Sequence, residues 1–78
     1  MWTIETVKAE LPKVQVQIEV NQLTKTGKTK KVKMIVEGNV SGRRNKFPTI
    51  WTKDNMQGWE FAWGTIANAL NNNKPLLV

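Results

Sequence analysis

Histidine and cysteine are both missing from this 78-residue chain. Without cysteine there is no disulfide and no thiolate nucleophile. Without imidazole the usual general base and the commonest metal ligand are gone. Acidic residues are scarce, and Glu5, Glu10, Glu19, Glu37, Asp54 and Glu60 show no paired spacing that suggests acid–base catalysis or metal binding. Gly27, Gly38, Gly42, Gly58 and Gly64 are scattered and form no phosphate-cradling loop. Neither an enzyme nor a bound cofactor or metal is expected. No apolar run approaches the roughly 20 residues that cross a bilayer. The opening Met1-Trp2-Thr3-Ile4-Glu5-Thr6 has neither the basic nor the apolar region of a secretory leader. These absences predict a soluble cytoplasmic protein with no membrane partner.

The length fits one small domain over residues 1–78. A chain this short buries only about 60% of the surface it exposes when unfolded, so self-association is expected. Lys and Arg number twelve against six Asp and Glu, a formal charge of +6. That charge is unevenly spread. Residues 1–24 and 54–78 are each net −1, whereas residues 25–53 are net +8. The central segment holds Lys25, Lys28, Lys30, Lys31, Lys33, Arg43, Arg44, Lys46 and Lys53 against Glu37 alone. Such a concentration repels itself unless an anion relieves it, and points to an anionic partner.

The hydrophobic pattern changes period along the chain. Val14, Val16, Ile18 and Val20 alternate with Gln15, Gln17, Glu19 and Asn21, which predicts a strand with one dry and one wet face. Thr24 to Thr29 reads as a hairpin turn with Gly27 free to take a positive φ. A second strand follows over 31–40, with Val32, Met34, Val36 and Val40 on one face and Ile35 on the polar one. Ser41 to Asn45 reads as a turn and Phe47 to Thr52 as a third strand, which Pro48 places at an edge. Trp2 to Lys8 is a weak candidate for a further strand. Met56, Trp59, Trp63, Ile66 and Leu70 recur at helical spacing, and Asp54 with Gln57 resembles a capping box, predicting one C-terminal helix from 54 to about 70. The expected fold is α+β: three or four curved antiparallel strands and then one amphipathic helix, ββββα, with the other sheet face open.

Basic side chains interleaved with aromatics on an open sheet hold single-stranded nucleic acid: cations neutralise phosphates and rings stack on bases. The nine cations of the central segment are the phosphate candidates, with Phe47 and Trp51 for the bases. Trp59 and Trp63 belong to the predicted helical stripe and hence to the core. Phe61 falls off that stripe and is a candidate dimer contact, with Trp63 and Leu70 on the same predicted helix.

The run Arg43-Arg44-Asn45-Lys46-Phe47-Pro48-Thr49-Ile50-Trp51-Thr52 resembles the basic loop and last strand of the positive-cofactor-four family of transcriptional coactivators and their bacterial and phage relatives. Lys53-Asp54-Asn55-Met56-Gln57-Gly58-Trp59 is similar to the start of that family's helix. The resemblance covers the layout of residues 14–70. It implies a homodimer joined through the C-terminal helices, with single-stranded DNA across the two concave sheets. The implied role is replication, recombination or transcription support at the nucleoid or in a phage-infected cell. In type, Lys30, Lys31, Lys33, Arg43, Arg44 and Lys46 match its backbone-contacting positions. RNA and duplex DNA are the competing ligands. Two other readings of the basic surface are a chromatin-type protein on duplex DNA and an inhibitor module docked on an acidic protein.

Overall fold

The structure, a computed structural model, describes residues 1–54 and 56–78. Its elements in chain order are α1 (Ile4–Glu10), β1 (Val14–Leu23), β2 (Thr29–Ser41), β3 (Thr49–Thr52), β4 (Gly58–Glu60), α2 (Trp63–Asn71) and β5 (Leu76–Leu77). The strands form one sheet in the order β4-β3-β2-β1-β5, antiparallel throughout except that β5 runs parallel to β1.

The alternating segment behaves as its period demands. β1 and β2 pair over their whole facing lengths, from Val14 opposite Gly38 to Leu23 opposite Thr29. The connecting turn closes through Thr24 N–H donating to Lys28 O at 2.7 Å, with Gly27 at φ +82°. Direct pairing puts Val14, Val16, Ile18 and Val20 on the same face as Val32, Met34, Val36 and Gly38. On that face Val14, Val16, Val40 and Ile50 join Val7 of α1, Trp63, Ile66 and Ala67 of α2 and Leu76 of β5 in the core. The helices cover only the body end of the sheet. The distal part of the hairpin extends beyond them as a two-stranded arm, and the molecule measures 49 × 24 × 16 Å.

The ββββα layout with a single helix is wrong: a helix precedes the four antiparallel strands, and a fifth strand follows α2 and makes the sheet mixed. The segment from Trp2 to Lys8 is mostly helix rather than strand. Thr3 caps it, its Oγ1 accepting from Thr6 N–H at 3.2 Å while Thr6 Oγ1 accepts from Thr3 N–H at 2.8 Å. Threonine at both positions completes a reciprocal cap of the kind usually written with Glu or Gln. Leu11, left-handed at φ 44°, returns its N–H to Val7 O and ends the helix before Pro12.

The predicted helix from Asp54 begins nine residues late. Asp54 makes a turn instead, its Oδ1 accepting from Thr52 Oγ1 at 2.6 Å and from Met56 N–H at 3.0 Å. Gly58, Trp59 and Glu60 then pair back onto β3, so Trp59 packs on the core from a strand and Met56 is exposed. Asn55, assigned to the same predicted helix, lies outside the described residues. The added β4 makes β3 an internal strand, not an edge. Pro48 precedes β3, where its missing N–H costs no ladder bond. Phe61 lies between β4 and α2, half-buried against the core.

Candidate nucleic-acid interface

The β2 ladder fixes where the cations stand. Lys25 and Lys28 occupy the tip of the arm, and Lys30, Lys31 and Lys33 follow on β2; all five are exposed. Alternation turns Lys31 and Lys33 to the open face and Lys30 to the helix side, opposite Gln22. The arm therefore carries positive charge at its tip and on both faces, with Glu19, opposite Lys33, as its one acidic residue.

The second basic group stands at the other end of β2. Its thirteen residues place that end about 40 Å away at roughly 3.3 Å per residue. Here Gly42, at φ +90°, turns the chain into a loop that holds Arg43, Arg44, Lys46 and Phe47. Arg43 is engaged within the chain: its Nε donates to Lys8 O at 2.6 Å and its Nη2 to Ala9 O at 3.2 Å, closing the C-terminal end of α1. Arg44 and Lys46 are exposed, and Lys46 Nζ lies 5.8 Å from the Phe47 ring centroid. Phe47 is 47% exposed. Lys53 is exposed in the turn after β3, where it lines the same groove as Glu37 and Asp54.

Trp51 lies between the two groups. Pairing with Asn39 of β2 and Gly58 of β4 sets it on the open face, because Ile50 and Thr52, its neighbours, point into the core. The indole lies against Gly58: a Cβ on that glycine would come within 2.7 Å of Trp51 Cε3 and Cζ3. The residue is still 39% exposed. A glycine under a cross-strand aromatic is thus what lets the tryptophan lie down on the sheet. The candidate interface missed in the sequence comprises Gly58 and the flanking Asn39. A glycine within a short strand beside an aromatic was the available signal, hidden by the helical reading of 54–70.

The open face between the basic ends is not itself strongly positive. Glu19 faces Lys33, Glu60 pairs beside Thr49, and Glu37 binds Lys13 at 3.2 Å. Phe61 and Leu70 are half-buried, while Trp63 is enclosed by its own chain, its Nε1 donating to Asn45 O at 3.0 Å and Lys8 Nζ lying 5.5 Å from its ring. That indole bond anchors the basic loop to α2. On the helix side, the arm base and the β3–β4 turn flank an open groove of about 910 Å³ lined by Ile18, Val36, Thr52 and Met56 among others.

The Asp54 carboxylate after β3 accepts two hydrogen bonds. The Thr52 hydroxyl first, and then the Met56 N–H, hold its pKa below the ordinary carboxylate value, against a small opposing contribution from burial. Among the described residues no three His, Cys, Asp or Glu side chains come together as a metal site, and no helix is long and apolar enough to cross a membrane. Set against protein-family models, curated proteins and solved structures, the chain matches none.

Proposed function

We propose that the protein binds single-stranded DNA with little sequence preference, in support of replication, recombination or transcription. The observation that carries this reading is Trp51: an exposed indole laid flat on the open sheet, between two basic groups at the ends of β2. Arm lysines at one end, and Arg44 and Lys46 at the other, hold the backbone. Trp51, helped by Phe47, stacks on bases at about 1–3 kcal/mol per base. The basic loop from Arg43 to Phe47 resembles that of the positive-cofactor-four family and points to the same ligand, whereas Gly58 and Trp59, likened to the start of that family's helix, lie on a strand.

A second reading takes its support from the arm itself. A two-stranded ribbon with lysines on both faces and at its tip has the form of an element that enters a groove of duplex DNA. Titration of labelled single-stranded DNA, duplex DNA and RNA at about 50 and 500 mM salt separates the two readings. The proposal expects single strands to bind tightest, with quenched tryptophan emission and affinity falling steeply with salt. Equal affinity at both salt concentrations overturns it, and preference for duplex without quenching selects the ribbon reading.

A further inference from the structure

The open face around Trp51 holds one side chain that phosphate binding does not explain. Glu60 of β4 pairs with Thr49, while Trp51 pairs with Gly58, two residues before Glu60 on the same strand. Trp59, between them, packs on the core, so Gly58 and Glu60 share the open face with the indole. Diagonal neighbours of this kind across antiparallel strands stand about 7–8 Å apart. The indole leans over Gly58, so its ring already stands on the strand that carries Glu60.

Glu60 is exposed, and among the described residues no cation pairs with its carboxylate. Its charge has the wrong sign for a surface that holds a polyanion. β4 is an outermost strand of the sheet, and a charge there blunts pairing with another chain. A lysine would do the same and would add a phosphate contact. The chain has twelve Lys and Arg residues elsewhere, yet beside its exposed indole stands a carboxylate. A carboxylate differs from any cation in a way that matters to a base: it accepts hydrogen bonds and donates none.

We propose that Glu60 reads the base stacked on Trp51 and selects guanine, an inference that rests on the single-strand reading above. Guanine presents two adjacent donors, its N1–H and its N2 amino group, which match the two oxygens of one carboxylate. Cytosine and adenine each present one amino group beside a ring-nitrogen acceptor. Thymine fits worst, because its single N3–H lies between two carbonyl oxygens that the carboxylate repels. Asn39, opposite Trp51 on the β2 side, has both a donor and an acceptor and accommodates any base. Stacking and phosphate contacts supply affinity without regard to sequence, and Glu60 adds a preference at one position. The expected order is guanine, then cytosine and adenine, then thymine.

Fluorescence anisotropy with end-labelled strands tests this on the full chain at fixed salt. The strands are thymidine oligonucleotides of about twelve residues, within the site sizes of single-strand binders. Every third base is left as thymine or replaced by guanine, adenine or cytosine, a spacing that avoids guanine runs. The wild type is expected to bind the guanine strand about fivefold more tightly than the all-thymine strand, the lower end of what one bidentate base contact discriminates. Glu60→Gln keeps the shape, removes the charge and exchanges one acceptor for a donor. It is expected to bind the all-thymine strand more tightly than the wild type does and to lose the preference for guanine. A wild type that binds all four strands equally overturns the proposal and leaves single-strand binding standing. A Glu60→Gln variant that tightens every strand by one factor and keeps the guanine preference assigns the carboxylate to charge alone, and also overturns it. Absence of binding to any strand overturns both this proposal and the reading beneath it.

Discussion

Arg43 closes the first helix: its guanidinium donates to the carbonyls of Lys8 and Ala9, thirty-five and thirty-four residues earlier in the chain. In composition it is indistinguishable from Arg44, one position on, which is exposed to solvent. The pair predicts a division of labour. Arg43→Ala removes hydrogen bonds from exposed carbonyls and should cost about 1 kcal/mol of stability, read as a lower thermal midpoint. Arg44→Ala should leave the midpoint within about 0.5 kcal/mol while weakening binding to single-stranded DNA. Equal loss of binding without loss of stability in Arg43→Ala would contradict this.

Trp51 and Gly58 should be coupled. Trp51→Ala is expected to weaken single-strand binding by about 1–3 kcal/mol and to abolish most of the fluorescence quenching. Gly58→Ala leaves the indole in the chain but places a methyl where Cε3 and Cζ3 now lie. It should lift the ring, weaken binding by a smaller factor and change the Trp emission before any DNA is added. Binding that is indifferent to Gly58→Ala would show that the flat seating of the ring is not what matters.

Salt dependence separates the arm from the body. Each single-strand phosphate contact contributes about 0.7 to the slope of log affinity against log salt. Lys31→Gln with Lys33→Gln removes both open-face arm cations and should lower that slope by about 1.4. The same double change should leave thermal stability nearly untouched, because both side chains are exposed.

The β3–β4 turn should respond to acid. Its carboxylate, Asp54, is held below the ordinary value by the Thr52 hydroxyl and then the Met56 N–H. A depressed folded-state pKa means that stabilisation is complete above the unfolded value, near 3.9, and is lost as pH falls through the lowered folded value. A carboxyl titration by NMR should find Asp54 below the ordinary carboxylate value. In Asp54→Asn the amide oxygen still accepts both hydrogen bonds, so only the charge-dependent part of the stabilisation should be missing at neutral pH, and the dependence below about pH 4 should disappear. A midpoint of Asp54 at or above the ordinary value would remove the basis for this prediction.

The amphipathic hairpin was readable in one dimension because period-two alternation is a local property, and the long ladder of β1 and β2 leaves little for distant residues to override. The same holds for the turn at Gly27, which takes the positive φ that its position asks for. Residues 54–62 were not readable. Met56, Trp59 and Trp63 satisfy a helical period equally well, but Thr52 and Asp54 tie the chain into a turn that returns Gly58–Glu60 to β3. Short-range spacing cannot report a strand whose partner is chosen by a side-chain hydrogen bond. The opening helix and the last strand escaped for a related reason: α1 spans seven residues and β5 two, too few for any period to register.

By itself, then, the sequence determined the charge asymmetry, the exclusion of imidazole and thiolate chemistry, and the paired hairpin, since each depends only on composition or on neighbours in the chain. Tertiary structure decided which cations are free and where the aromatic lies. Arg43 is taken up by a helix end far away in the chain, and Trp51 lies flat because a glycine on the next strand leaves room for it. Both outcomes depend on distances through space between residues that no local pattern connects.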